Sequence, residues 1–374
     1  MNELAPPLQQ LDRTFVIHRG QRLSYFGGCD YFRLASHPAV LQALQDGVGK
    51  YGLNVAASRL TTGNHPLYEQ LEQRLAAFFG AETALLVSNG YVTNLVVAQA
   101  LAGRISHVLI DERAYAALAD AAPLFGCPVL RFKHRDADNV ADTVQRLGKA
   151  ARPILLTDGL FSHNGQVAPL KGYLAALPGD ARLLVDDAHG AGTIGPKGRG
   201  TAEHLGVCDR RLIQTITLSK AFGVYGGAIL GPAALRKRII AASRMFGGNT
   251  PLPLPLANAA LAAVNLLRAD KAPRRRLVVN TTYVKTAVRE AGLPVPETPG
   301  PIVSLVPRRA RDGEAVCKQL LARKIFPSFI RYPGGPKAGY FRFAIASEHA
   351  SEQLDALISV LRDSVGQLRP LPEC

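Results

Sequence analysis

Apolar residues recur along this chain in two rhythms. Short apolar runs stand at Ala84–Ser88, His107–Asp111, Pro128–Phe132, Pro153–Thr157, Arg182–Asp186 and Gly226–Leu230. Runs of this length read as strands of a buried sheet. Between them the apolar positions take helical spacing. LYEQLEQRLAAFF, Leu67–Phe79, closes at Gly80 as a helix with a glycine C-cap does, and further helices are expected over Tyr91–Leu101 and from Arg113 to about Leu124. Strands alternating with helices predict an α/β fold with a mostly parallel central sheet and helices on both faces. After Asn265 the texture changes. A long helical stretch through KAPRRRLVVNTTYVKTAVREAG is followed by the proline-rich LPVPETPGP and a strand at Ile302–Val306. A helix near Gly313–Arg323, a strand at Phe341–Ala346 and a closing amphipathic helix over Glu352–Leu368 complete a smaller α+β domain. The expected organisation is an N-terminal arm over 1–45, a large domain over 46–268 and a small C-terminal domain over 269–374.

Composition narrows the class. The chain has 374 residues, enough for more than one domain. No apolar run is long enough to span a bilayer, and MNELAPPLQQLDR lacks the layout of a signal peptide. The five cysteines, Cys29, Cys127, Cys208, Cys317 and Cys374, show no CxxC spacing. An odd, scattered set reads as reduced thiols in a cytoplasmic protein with no metal site. The net charge of +15 suits nucleic acid, an anionic membrane surface or an anionic substrate. No nucleic-acid-binding motif accompanies it, so a solvated basic surface is the preferred reading, with no nucleic-acid partner.

Candidate chemistry gathers in two stretches. In IQTITLSKAFGVYGG, Ile213–Gly227, a β-prone run breaks at Lys220 and continues through glycines. Burial disfavours the charge on a lysine, and a neutral amine forms Schiff bases, whereas most lysines snorkel to water. That stretch alone leaves the two readings about even. LLVDDAHGAG, Leu183–Gly192, delivers Asp186 and His189 to the exit of a buried strand, where open α/β sheets bind ligands. Singly, Asp186 reads as a helix N-cap and His189 as a satisfied loop histidine. A carboxylate for a pyridinium nitrogen, a donor for a phenolic oxygen and an imine-forming lysine together make the protein side of a pyridoxal 5′-phosphate (PLP) site.

With these residues in place the chain resembles the α-oxoamine synthase family of fold-type I PLP enzymes. The likeness runs from about Tyr31 onward and is carried by VDDAHGAGTIGPKGRG (Val185–Gly200), TLSKAFG (Thr217–Gly223) and TDGLFSHNGQVAPL (Thr157–Leu170). It implies that the cofactor phosphate lies on the amides of Gly90 and Tyr91 at a helix start, with the hydroxyls of Thr217 and Ser219. It implies that Ser162 and His189 face the phenolic oxygen, that Asp186 faces the ring nitrogen, and that Lys220 holds the cofactor and moves the α-proton. Thr250 matches a threonine lent across a dimer interface, so a homodimer with a shared active site is expected. Arg342, between Phe341 and Phe343, matches the clamp of the amino acid carboxylate, a task suited to its planar fork. The implied reaction is decarboxylative condensation of a small amino acid with an acyl thioester, carried on CoA or a carrier protein, to an α-amino ketone.

The sequence also departs from the family. Tyr115 replaces a histidine that lies over the cofactor ring, CDYFRL (Cys29–Leu34) replaces an asparagine-led motif, NVAAS (Asn54–Ser58) replaces a glycine-rich loop, and Tyr68 replaces a histidine. RYPGGP, Arg331–Pro336, lacks the family threonine. The altered residues belong to the part that shapes substrate, which leaves a second expectation open: an aminotransferase or amino-acid racemase on the same scaffold. A cofactor-binding subunit without turnover is a further alternative, and the presence of Lys220 argues against it.

Overall fold

The computed structural model describes residues 5, 7–331, 336 and 339–371. Most of RYPGGP and all of Cys374 lie outside them. In chain order the elements begin with β1 (Gln9–Gln10), β2 (Phe15–His18) and β3 (Gln21–Ser24), then α1 (Pro38–Tyr51), α2 (Pro66–Phe79), β4 (Thr83–Val87), α3 (Gly90–Leu101), β5 (His107–Asp111) and α4 (Ala116–Ala121). They continue with β6 (Val129–Phe132), α5 (Ala137–Leu147), β7 (Pro153–Asp158), α6 (Leu170–Ala176), β8 (Arg182–Asp186), α7 (Thr201–His204), β9 (Leu212–Thr217) and β10 (Gly227–Gly231). Then come α8 (Ala233–Ala242), α9 (Arg244–Gly247), α10 (Leu254–Ala269), α11 (Ala272–Glu290), β11 (Ile302–Pro307), α12 (Ala310–Ala322), β12 (Phe329–Ile330), β13 (Tyr340–Ala344), α13 (Ser351–Asp363) and β14 (Leu368–Pro370).

The chain divides into two units, residues 38–161 with 167–271, and residues 1–37 with 162–166 and 272–374. The larger unit is built on a seven-stranded sheet in the order β4-β10-β9-β8-β7-β5-β6. Its strands are parallel except β10, which runs antiparallel to both β4 and β9. Side chains alternate across this sheet. Val108, Ile110, Ile154, Leu156 and Leu184 pack with α3 on one face, while Leu109, Leu155, Leu183 and Val185 pack with Tyr173 and Phe132 on the other. Helix α3 is apolar around most of its circumference and is buried accordingly. The α2 start is capped by His65, whose Nδ1 accepts the Leu67 amide at 3.1 Å, and its end by Gly80 in the left-handed region at φ 68°.

The smaller unit carries a four-stranded antiparallel sheet, β12-β13-β11-β14. The N-terminal residues join it through main-chain bonds: Ser24 N–H donates to Lys324 O at 2.7 Å and Ala344 N–H to Phe26 O at 2.7 Å. Three local expectations change. The helix expected from Arg113 to Leu124 is α4 followed by a 3-10 turn, because Pro123 has no N–H for the ladder. The closing helix stops at Asp363, and Leu368–Pro370 forms a strand paired with β11. Helix α1 starts at Pro38, inside the stretch read as an arm. No helix among the described residues is long and apolar enough to cross a membrane.

Candidate functional site

The period of two that buries the sheet also aims its polar residues. In β8, Leu184 faces α3, Val185 faces away, and Asp186 faces α3 again at the carboxyl end of the strand. The register pairs Asp186 with Asp158 of β7 and with Thr215 of β9. Asp158, Asp186, Thr215 and Thr217 therefore share one face at the carboxyl edge of the sheet, the place where open α/β sheets bind ligands.

Asp186 is 6% exposed. Asn94 Nδ2, on the inner side of α3, donates to its Oδ2 at 2.7 Å, and the Ala188 amide to its Oδ1 at 3.1 Å. Thr215 Oγ1 donates to Asn94 Oδ1 at 2.8 Å, which turns the amide's donor toward the carboxylate. Burial raises the Asp186 pKa, opposed first by the Lys220 charge and then by the Asn94 and Ala188 bonds. Asp158 is held well above the usual carboxylate range by burial and by the Asp186 charge beside it, while the Tyr115 amide, donating to Asp158 Oδ2 at 2.8 Å, and Lys220 pull it down. Thus one amine acts on two buried carboxylates of adjacent strands.

Lys220 follows the end of β9 in a tight turn. Leu218 N–H donates to Gly226 O at 2.9 Å, Val224 N–H to Leu218 O at 2.9 Å, and Gly223 N–H to Lys220 O at 3.0 Å. The lysine is half-buried and Ser219 is exposed. Thr217 and Ser219 bring their hydroxyl oxygens to 3.2 Å.

The start of α3 lies against this turn. Asn89 caps it, accepting the Val92 amide at 3.1 Å. Gly90 and Tyr91 are its first two residues, whose amides precede any intrahelical acceptor. A Cβ on Gly90 would stand 2.6 Å from Thr217 Cβ, and one on Gly227 would stand 2.6 Å from the Asn89 carbonyl. Only glycine at both positions lets strand, turn and helix start meet, which brings the Thr217 hydroxyl, with Ser219 beside it, against the start of α3. That donor set fits a phosphate. A buried carboxylate braced by an amide and an amine within its field fit the ring and the aldehyde of PLP.

Tyr115 precedes α4, is 39% exposed, and meets the Tyr91 ring edge-on at 6.4 Å between centroids. His189 is buried in the turn after β8, where its carbonyl accepts Thr193 Oγ1 at 2.6 Å. Asp187 points to the opposite face and organises that turn. It accepts Thr201 N at 2.7 Å, Thr201 Oγ1 at 2.7 Å and Gln214 Nε2 at 2.8 Å. Burial nevertheless pushes its pKa up to about 6. Thr250 is exposed and follows Asn249, whose Nδ2 donates to Ser88 Oγ at 2.9 Å.

Two of the sequence candidates belong to the smaller unit. Arg342 stands in β13 opposite Ser304, with its Nη2 4.0 Å from Cys29 Sγ, the first residue of the divergent CDYFRL motif. Ser162 is half-buried and opens the segment 162–166. Sequence reasoning missed Asn94 and Thr215. A lone asparagine within the apolar helix GYVTNLVVAQAL was the available signal, since a buried amide requires partners.

The chain matches the aminotransferase class I and II family over residues 27–361. An 8-amino-7-oxononanoate synthase of Thioalkalivibrio sulfidiphilus is 36% identical over 349 residues, covering 92% of this chain and 89% of that one. Another, from Trichlorobacter lovleyi, is 34% identical over 360 residues, covering 95% and 92%. Among solved structures, a serine palmitoyltransferase variant from S. paucimobilis with a bound PLP–myriocin aldimine aligns with a TM-score of 0.89 at 25% identity, covering 96% of this chain and 92% of that one. The 8-amino-7-oxononanoate synthase of Francisella tularensis aligns with a TM-score of 0.79 at 25% identity, covering 92% and 98%.

Proposed function

We propose that this chain, which belongs to the aminotransferase class I and II family and within it to the α-oxoamine synthases, is a PLP-dependent acyltransferase that condenses a small amino acid with an acyl thioester, releasing the free thiol, carbon dioxide and an α-amino ketone. The observation that carries the reading is the meeting of Asp186, Lys220, Thr217 and the α3 start at one edge of the sheet.

Bound there, PLP supplies an electron sink for the charge left when a bond to the substrate α-carbon breaks. The remaining work falls to residues of the chain. The Gly90 and Tyr91 amides, with Thr217 and Ser219, would hold the phosphate. Asp186, held by its bonds to Asn94 and Ala188, would keep a proton on the ring nitrogen. His189 and Ser162 would donate to the phenolic oxygen, and Tyr115 would lie against the ring, its backbone fixed by Asp158. Lys220 would tie the cofactor between turnovers and, once displaced, carry the substrate α-proton on Nζ, with proximity supplying much of the rate. Arg342 would clamp the substrate carboxylate, a role that rests on the family likeness.

The finer assignments stand on narrower support. An acyl group on CoA or on an acidic carrier protein suits the net charge of +15. A homodimer in which Thr250 of one subunit completes the site of the other suits its exposed hydroxyl. Cys29, Cys127, Cys208 and Cys317 are all free thiols, which suits a cytoplasmic enzyme. Thiol release in the presence of an amino acid and an acyl-CoA, followed with a thiol reagent, tests the reaction. Amino-acid-dependent release of one thiol per carbon dioxide is expected. Turnover of the amino acid without thiol release, from CoA or from a carrier protein, would instead indicate an aminotransferase or racemase.

A further inference from the structure

A second buried amine lies in the smaller unit. Lys285 of α11 is 4% exposed. It falls on the inner stripe of the helix with Leu277, Thr281, Val284 and Val288. Its Nζ donates to Thr298 O at 2.8 Å, Thr298 Oγ1 at 2.7 Å and Gly300 O at 2.6 Å. An ammonium has three donors, and all three are spent on one short stretch of irregular chain between α11 and β11. Burial, together with the Arg289 guanidinium, pushes the Lys285 pKa down to about 7. Holding a cation there costs desolvation, which its three hydrogen bonds to the turn offset.

The oxygens that Lys285 holds have a second neighbour. A Cβ on Gly165 would stand 3.1 Å from Thr298 Oγ1 and 3.5 Å from Gly300 O. Gly165 also has a left-handed φ of 74°, which favours glycine, so it lies close against the turn. It belongs to the segment 162–166, which clusters with this unit although its flanks belong to the other. The segment is internally braced: Asn164 Nδ2 donates to Gln166 Oε1 at 2.7 Å, and the Gln166 amide donates to Asn164 Oδ1 at 3.1 Å. Asn164 and Gln166 are both buried. The segment is thus braced within itself and, at Gly165, lies against the turn that Lys285 pins.

We propose that Lys285 is a positioning residue for Ser162: it fixes the Thr298–Gly300 turn as the platform on which the segment 162–166 rests, and thereby sets where the Ser162 hydroxyl stands. The inference rests on the role given above to Ser162 at the cofactor's phenolic oxygen. Lys285 itself touches neither cofactor nor substrate in this scheme.

Ser162→Ala, Lys285→Met and the double variant are compared with the parent in two readouts on the full chain. One is PLP affinity, from absorbance titration of the apoprotein. The other is the pH midpoint of the visible absorbance band after loading, which responds to the donors around the phenolic oxygen. Ser162→Ala is expected to weaken PLP by about tenfold and to move the midpoint, as loss of one hydrogen bond does. Lys285→Met moves both in the same direction by a smaller factor, about three- to tenfold in affinity. The double variant is no weaker than Ser162→Ala alone, because both changes act through one hydroxyl. Multiplying effects in the double variant, or parental behaviour of Lys285→Met beside an altered Ser162→Ala, would overturn the inference. If Ser162→Ala itself changes nothing, the role of Ser162 fails and the inference falls with it. Should Lys285→Met not fold, Thr298→Val removes one acceptor from the same amine, and the same pattern is expected of it.

Discussion

Replacing Asn94 by leucine isolates the brace beneath Asp186. Leucine keeps the branched shape of asparagine and has a higher helix propensity, so α3 is expected to form. What disappears is a 2.7 Å donor to a buried carboxylate and, with it, the acceptor for Thr215 Oγ1. A hydrogen bond to a charged group contributes about 1.5–3 kcal/mol, so its loss moves the Asp186 pKa further up. Burial already holds Asp186 up, and the Lys220 charge and the Ala188 amide remain as the opposing forces. The carboxyl then spends more time neutral, and a neutral acid keeps a ring-nitrogen proton less well. The rate of α-proton exchange, measured by NMR in deuterated buffer with an amino acid and no acyl donor, is expected to fall about 10–100-fold. Thr215→Val, which only frees the amide to turn, should cost about threefold to tenfold. Val96→Ala, an apolar cavity at the same depth in the same helix, should lower the melting temperature and leave exchange per folded site unchanged. Exchange in Asn94→Leu within about twofold of the parent, beside an Asp186→Asn variant that is inactive, would refute the reasoning.

Three other outcomes follow from distances and burial already given. Gly90→Ala forces a Cβ to 2.6 Å from Thr217 Cβ; overpacking of about 1–3 kcal/mol should separate helix start from turn and weaken PLP about 10–100-fold in apoprotein titration. Arg342→Lys keeps the charge but loses the planar fork, so steady-state kinetics should show a KM for the amino acid raised about tenfold or more, with kcat less affected. Asp187, raised from its ordinary 3.8 to about 6 in the folded chain, binds its proton more tightly folded than unfolded. Its contribution of about 3 kcal/mol is present below pH 4 and lost as pH rises to about 6, so a pH series of melting curves should show a smaller decline between pH 4 and 6 for Asp187→Asn than for the parent.

How far the sequence could be read follows from which interactions are local. The strands of the large sheet announce themselves because both faces are buried, so their runs are apolar throughout, and β5 and β8 fall on the residues expected of them. The orientation of β10 is a property of chain path, and nothing in GAILG distinguishes an antiparallel strand from a parallel one. Helix α1 is masked by Gly47 and Gly49 inside PAVLQALQDGVGKY, and β14 by an apolar spacing that continues α13 past Ser364. At the site, the residues that would touch the cofactor were legible because each carries distinctive chemistry in a recognisable stretch. The residues that brace them were not. Asn94, Thr215 and Thr201 act through side chains 92, 29 and 14 positions away from Asp186 and Asp187, in sequence terms ordinary polar residues of a helix, a strand and a turn. Lys285 looks like one more cation of a basic helix until its stripe is drawn: Leu277, Thr281, Val284, Lys285 and Val288 fall at helical spacing, and a lysine within such a stripe must either leave it or find acceptors. Contact chemistry is therefore written in motifs, whereas support is written in exceptions to a pattern, a polar residue where the period demands an apolar one. Asn94 and Lys285 are both such exceptions, and each is now tied to a measurable property of the residue it supports.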